Sequence, residues 1–279
     1  MELTMALKTV KFLGTTLTAL ALATALNGCA SVSGQTTLER DYDFTRMQNM
    51  TMVFYREFLS NEKITNNFKK ELRNSECVMR SLTRAIPGAY AGLRTEWTVD
   101  VLRECSFNAA VLNTGTLVLS NCTAGLVTSQ DELAYLVSVA FAHSLLEHDN
   151  ERVSILLKGK KFTDDELKTY IRSDEGYQAF MQALGLEVRS VAPIPYTKEQ
   201  VRAADELAIA TMSAAGFNPS ASLVIWQNLK TVNNARAQNY VLLHPHDEQD
   251  MQALSDLVQK YMPNYRKART EYGRVPLCR

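Results

Sequence analysis

Residues 129–152 read SQDELAYLVSVAFAHSLLEHDNER, and this stretch decides the fold. Ser129 followed three residues later by Glu132 is a capping box, which satisfies unpaired backbone N–H groups at the start of a helix. From Leu133 to Leu146 the stretch is apolar on nearly every side, which is typical of a buried helix rather than a half-exposed one. The sequence therefore predicts one central core helix that begins near Gln130.

The same stretch resembles the active-site helix of the zinc metallopeptidases of the BepA, Oma and HtpX type. Their pattern is D-E-L-A-x-x-x-A-H-E-x-x-H with a further His five residues on, and the matching residues here are Asp131, Glu132, Leu133, Ala134, His143 and His148. In that family two His four residues apart bind one zinc ion, and the Glu between them is the general base. This chain has Val139 at the first His and Ala140 at the Glu. The resemblance therefore implies the family's scaffold without its reactive groups.

The stretch from Tyr196 to Asp205 is similar to the family's Y-S-R-E-x-E-x-E-A-D. In the family the Glu four residues before the Asp is the third zinc ligand, and the Asp supports the first His. This chain has Val201 at the ligand position and keeps Asp205. Because the His that Asp205 would orient is Val139, we interpret Asp205 as a helix-face carboxylate or a local hydrogen-bonding group.

The histidines limit what a substitute metal site would contain. His244-Pro245 matches the family's T-H-P, and the chain has four histidines in all. A rebuilt site would have to come from these four, and His143 with His244, or with His244 and His246, is the conceivable set; the alternative is that they are hydrogen-bonded core residues. His143 and His148 lie roughly 140° apart around a regular helix, so they are not expected to share a metal. We expect no cofactor, and zinc only in the alternative of a rebuilt site.

Three strands are predicted ahead of the central helix, over Trp97 to Arg103, Asn108 to Leu112 and Thr116 to Leu119, and they are expected to form an antiparallel meander. The second strand resembles the family's N-A-F-A-L-P-G-G segment, the sheet edge along which a substrate peptide pairs. The resemblance implies a peptide-binding edge at Asn108, Ala109, Ala110, Val111 and Leu112. The alternative is an edge that is covered or twisted away. The predicted fold is a mostly helical α+β, zincin-like (gluzincin) domain over residues 41–279, with a small antiparallel sheet on the central helix.

The N-terminus has the features of a lipoprotein signal. Lys8 and Lys11 precede an apolar run from Phe12 to Leu26, and Leu26-Asn-Gly-Cys29 resembles the bacterial lipobox. We predict a signal peptide over residues 1–28, a lipid on Cys29 and a polar tether over residues 29–40. Ala30 is typical of sorting to the Gram-negative outer membrane, where the protein would face the periplasm. The alternative is an uncleaved anchor helix.

Charge and cysteine content narrow the partners and the compartment. The chain has 30 basic and 30 acidic residues, so its overall charge does not favour nucleic acid or anionic lipid as a partner. Four cysteines besides Cys29 permit two disulfides in an oxidising compartment, in three possible connectivities. The meander places Cys105 and Cys122 at the same end of the sheet, which leaves Cys77 to pair with Cys278. The alternative is four free or buried thiols.

Three functions are compatible with these observations. The first is a non-catalytic pseudopeptidase that binds unfolded or assembling envelope proteins or peptides. The second is an active zinc metalloendopeptidase of envelope quality control with a rebuilt site. The third is a purely structural envelope lipoprotein. The missing ligands and base argue against the second, because a catalytic zinc normally needs three protein ligands and an activated water.

Overall fold

A computed structural model describes residues 40–61, 68–88, 96–103, 109–121, 123, 127–160, 162–186, 194–231, 235–274, 276 and 278. The predicted signal peptide and the predicted lipidation site Cys29 lie outside these residues. The helices are α1 (Phe44–Asn61), α2 (Lys69–Thr83), α3 (Gln130–Leu145), α4 (His148–Leu156), α5 (Asp164–Arg172), α6 (Asp174–Ala183), α7 (Lys198–Ala215), α8 (Ala221–Thr231), α9 (Ala235–Leu243) and α10 (Glu248–Thr270). The strands are β1 (Thr98–Leu102), β2 (Ala109–Val111) and β3 (Thr116–Ser120). Within the described ranges, no helix combines the length and the apolar character needed to cross a bilayer.

Side-chain caps begin the helices that surround the centre of the molecule. Ser129 Oγ accepts from the backbone N–H of Glu132, as the capping box predicts, while the Glu132 carboxylate accepts from the N–H of Thr128, one residue earlier than expected. Reciprocal capping boxes start α7 at Thr197 and α10 at Asp247. These caps fix where α3, α7 and α10 begin.

The three strands form a mixed sheet, and the antiparallel meander is wrong. The strand order is β1-β3-β2, with β1 parallel to β3 and β2 antiparallel to β3. The predicted up, down and up directions hold, but the third strand lies between the other two. β3 is buried on both faces, with Leu117 and Leu119 in one hydrophobic core and Val118 in another, so it needs a neighbour on each side.

The larger core surrounds α3, which packs against α7, α2, α8 and the sheet. The smaller core fills the opposite face of the sheet with residues from α1, α5 and α6. α7 also packs along α10, so α7 lies between the central helix and the last one. The expected burial of the central helix is confirmed, since every residue from Glu132 to Leu145 is buried.

The last helix is longer than its sequence pattern suggests. Glu248 to Tyr261 is the predicted span, yet α10 continues to Thr270 with Pro263 inside it. Pro263 is exposed, so water can solvate the carbonyl that an interior proline leaves without its helical partner. The C-terminal segment that follows is joined to α2 by a disulfide between Cys77 and Cys278, whose Cα atoms lie 5.4 Å apart. The predicted pairing of Cys77 with Cys278 is thus confirmed. The other predicted pair, Cys105 and Cys122, lies outside the described residues.

Candidate functional site

The three positions that would carry zinc ligands and base are filled by apolar side chains. Val139 and Ala140 on α3 and Val201 on α7 are all buried. Val201 packs in a small apolar cluster with Tyr196 and Leu243. α3 packs against α7, and all three positions carry apolar side chains that cannot bind a metal or take up a proton.

The central helix is broken just after the retained His143. α3 ends at Leu145, Glu147 adopts a left-handed backbone conformation with φ of 57°, and α4 starts at His148. The break turns the two imidazoles toward each other, with His143 Nδ1 2.7 Å from His148 Nδ1. The expectation that these histidines point apart is wrong, because it assumed one regular helix.

The His143–His148 contact leaves one nitrogen of each ring without a hydrogen bond. One Nδ1 must donate and the other accept, so at most one ring is protonated. Both Nε2 atoms are buried and have no hydrogen-bond partner among the described residues. Burial, and then the proximity of His148, holds the pKa of His143 well below its usual 6.5, and burial lowers the pKa of His148 to about 3. Both rings are therefore neutral at neutral pH.

Tyr196 fills the space beside His143. Its ring stacks on the His143 imidazole with centroids 3.7 Å apart, and the Arg152 guanidinium carbon lies 4.2 Å from the same ring centroid. Since the imidazole covers one face of the ring, the guanidinium covers the other. Burial raises the pKa of Tyr196 to about 12, so the phenol is neutral as well. We refer to His143, His148, His244 and Tyr196 as the histidine cluster.

Arg152 contributes a buried positive charge to this cluster. It donates to the backbone carbonyl of Gln182, while Nε and Nη1 are buried and have no partner among the described residues. Its charge is one of the factors that lower the pKa of each neighbouring imidazole, after burial. A second positive charge beside the Tyr196 ring is therefore strongly disfavoured.

Asp205 accepts two hydrogen bonds in a fully connected network. Tyr135 Oη donates to Oδ1 at 2.9 Å, and Trp226 Nε1 donates to Tyr135 Oη at 2.9 Å. His246 Nε2 lies 2.7 Å from Oδ2. Asp205 is neither an exposed helix-face carboxylate nor a local hydrogen-bonding group, because it is buried and its partners are distant in sequence; its network joins α3, α7, α8 and the loop before α10. We refer to Tyr135, Asp205, Trp226 and His246 as the Asp205 network.

Both ring nitrogens of His246 face oxygen atoms that can accept a hydrogen bond, an arrangement that favours the imidazolium. Nδ1 lies 2.9 Å from the carbonyl oxygen of His244, which can only accept, and Nε2 faces the Asp205 carboxylate. Burial acts to lower the pKa of His246, but the hydrogen bond and charge of Asp205 outweigh it and the pKa is raised. The imidazolium also lies 4.2 Å from the Trp226 ring, centroid to centroid. Asp205 thus pairs with His246, a cation that the sequence offered only as a weak metal candidate.

The described side chains do not fit a zinc ion. His244 lies beside His143, with ring centroids 5.3 Å apart, but its Nδ1 bonds the Tyr240 carbonyl and burial lowers its pKa to about 3. Both nitrogens of His246 are engaged, so His143, His244 and His246 do not form a ligand set. Among the described residues, no group of three or more His, Cys, Asp and Glu side chains is arranged to hold a metal ion.

The predicted peptide-binding strand is the edge strand β2. The side chains of Ala109, Ala110, Val111 and Leu112 are buried, and Asn108 lies outside the described residues. Among the described strands, β2 pairs with β3 and lies at the end of the strand order. Its role in peptide binding stays a prediction.

Comparison with known families agrees with this scaffold. The profile of peptidase family M48 matches residues 72–258, which is more than half of the chain. The protein belongs to peptidase family M48. No curated protein matches the chain. The match covers α2 through the first part of α10 and confirms the zincin-like fold class predicted from the sequence.

The sequence patterns did not predict four residues of this site, namely Tyr135, Trp226, Tyr196 and Arg152. Tyr135 and Trp226 are large buried side chains, each with one polar atom, and such residues need a hydrogen-bond partner in the core. That rule predicts a partner for each of them without saying which one. Nothing in the pattern indicated that His143 and Arg152 enclose the Tyr196 ring, because the left-handed residue Glu147 decides where α4 points.

Proposed function

We propose that this protein is a non-catalytic member of family M48 that binds unfolded or assembling envelope proteins. A lipid on Cys29 holds it to the periplasmic face of the Gram-negative outer membrane. The observation that supports the loss of catalysis is that the buried side chains Val139, Ala140 and Val201 occupy the positions where the family has its two ligands and its base. None of these side chains can bind zinc or take a proton from water.

The position of the Tyr196 ring is a second, steric reason to expect no zinc binding. Its ring lies against His143 on one side and packs with Val201 on the other part of its surface. Restoring the missing ligands would therefore not be sufficient, because the ring stays in contact with the retained histidine. The edge strand β2 supports the binding part of the proposal, since an extended client segment can pair with backbone groups of such a strand.

The metal arm of the test compares three chains by elemental analysis and by cleavage of unfolded casein. The wild-type chain is expected to hold much less than one zinc per chain and to show no chelator-sensitive cleavage. The Val139→His, Ala140→Glu, Val201→Glu variant is expected to stay zinc-poor, and adding Tyr196→Ala is expected to raise its zinc content. One tightly held zinc in the wild-type chain, together with chelator-sensitive cleavage, would overturn the proposal.

The binding arm uses hydrogen exchange with casein peptides. Exchange at the amides of Ala109 to Val111 is expected to slow when a peptide is added, because a paired strand protects its backbone groups. The amides of β1, on the opposite edge of the sheet, serve as the internal control. Unchanged exchange at β2 at saturating peptide would exclude this edge as the binding surface.

A further inference from the structure

A pocket of about 260 Å³ lies between the C-terminal end of α2 and the segment after α10. Two arginines, Arg84 and Arg274, line it, and no carboxylate is among its described lining residues. The others are Ser81, Ala85, Ala215, Gly273 and Pro276. A cavity lined by two arginines, with no acidic residue in its described wall, is suited to an anion.

Arg274 is held in place by its surroundings. Its backbone N–H donates to the Ala268 carbonyl at 2.9 Å, and Nη1 donates to the Ala214 carbonyl at 2.7 Å. Gly216 makes this approach possible, because a Cβ atom there would lie 2.0 Å from the Arg274 carbonyl oxygen. The guanidinium is therefore positioned before any ligand arrives, which lowers the entropy cost of binding.

The opposite wall is fixed by the disulfide. Cys77 on α2 is bonded to Cys278, so the helix that ends at Arg84 is covalently joined to the segment that carries Arg274. Arg84 is exposed and forms no ion pair with any described residue. Its five N–H donors remain for a ligand.

The pocket is next to a basic patch at the end of α10. Residues 260–274 contain one acidic residue, Glu271, and five basic ones, namely Lys260, Arg266, Lys267, Arg269 and Arg274. Lys260 pairs with Glu206 and Lys267 lies 3.8 Å from Glu271, whereas Arg266 and Arg269 have no carboxylate partner among the described residues. The helix dipole does not explain the patch, because its effect is confined to the last turn, whereas Lys260 precedes that turn and Arg274 follows the helix.

We propose that this pocket binds the phosphate of an anionic lipid headgroup while the basic patch rests on the membrane surface. Arginine binds phosphate through two parallel hydrogen bonds, and each basic residue near an anionic leaflet strengthens binding about fivefold. Tyr272, which is 57% exposed, lies beside Arg274 and is a side chain suited to the membrane interface. This site is independent of zinc, cleavage and peptide binding, so its failure would leave the proposed function untouched.

The test places the full chain in vesicles of phosphatidylcholine, with or without phosphatidylglycerol. The rate at which an amine reagent labels Lys267 is measured by mass spectrometry, with Lys158, which is exposed and distant in sequence, as the internal control. Labelling of Lys267 is expected to be about fivefold slower on the anionic vesicles and to recover at high salt, while Lys158 is unchanged.

Substitutions then assign the effect to the pocket. Arg84→Gln with Arg274→Gln is expected to abolish the protection, and Arg84→Gln alone, at an exposed residue, is expected to weaken it without affecting folding. Lys158→Gln removes one charge elsewhere and is expected to change nothing. Equal labelling of Lys267 on both vesicle types, or full protection in the double variant, would overturn the proposal. Protection by inorganic phosphate in detergent but not by anionic vesicles would identify free phosphate as the ligand and overturn the lipid source.

Discussion

The histidine cluster and the Asp205 network both lie around the contact between α3 and α7, but they differ in whether their buried polar atoms have hydrogen-bond partners. In the Asp205 network the carboxylate, the phenol, the indole and the imidazolium all have partners. In the histidine cluster the Nε2 atoms of His143 and His148 have no hydrogen-bond partner among the described residues, and neither do two guanidinium nitrogens of the neighbouring Arg152. Buried polar side chains are thus accommodated by a charge partner in the Asp205 network and by neutral rings in the histidine cluster.

The two regions should make the free energy of unfolding depend on pH in opposite directions. The largest expected change is the loss of stability in acid. The folded pKa of His148 and of His244 is lowered to about 3, whereas the unfolded chain takes up these protons near 6.5. Their stability contribution is thus present above pH 6.5 and is lost as the pH falls from 6.5 toward 3. A tenfold difference in proton affinity between the folded and unfolded chain corresponds to about 1.4 kcal/mol, so the full loss approaches the whole stability of a typical domain.

The stability contribution of His246 depends on pH in the opposite direction. Its folded pKa is raised, so its contribution is fully present below the unfolded pKa and is lost as the pH rises through the folded value. Urea unfolding over a pH series checks both slopes, with the interval from about 6.5 to 5 most informative because most carboxylates have not yet titrated. A free energy of unfolding that stays flat over that interval would show that the histidine cluster is not neutral and buried as described.

Removing the carboxylate should break the better-paired region. Asp205→Ala leaves the His246 imidazolium buried without its counter-charge and Tyr135 without its acceptor. We expect a loss of about 3–5 kcal/mol in the free energy of unfolding at pH 7, measured by urea denaturation. The double variant Asp205→Ala with His246→Leu is the control, and it should recover part of the loss because the orphaned charge is gone. No recovery would mean that Asp205 acts through Tyr135 and Trp226 alone.

Removing an imidazole should have the smallest effect. His148→Leu deletes one buried nitrogen that has no partner but also leaves His143 Nδ1 without its hydrogen bond, so at pH 7 we expect a loss of about 1–3 kcal/mol, below that of Asp205→Ala. The same variant should lose less stability between pH 6.5 and 4 than the wild-type chain does. A loss at pH 7 as large as that of Asp205→Ala would contradict the distinction between the two regions.

The sequence predicts the scaffold well where a local signal exists. The capping residue Ser129 and the continuous apolar run place α3, and the spacing of Val139, Ala140 and Val201 identifies the altered ligand positions. Prediction from the sequence fails where the local structure is decided by contacts with distant parts of the chain. The position of β3 between β1 and β2 follows from burial on both of its faces, which a short apolar strand does not reveal by itself. The meeting of His143 and His148 depends on one left-handed residue, which no periodicity predicts.

The bond between Cys77 and Cys278 also has a consequence for how the protein is made. The two residues are 201 positions apart, so at about 5–20 residues per second the thiol of Cys77 waits on the order of 10–40 s for its partner to be synthesised. During that interval the chain has already produced Cys105 and Cys122, either of which can form a mispaired bond with Cys77. Where oxidation accompanies synthesis, thiol exchange has to undo any such early pairing before the native bond forms, and the yield then depends on the rate of oxidation relative to completion of the chain.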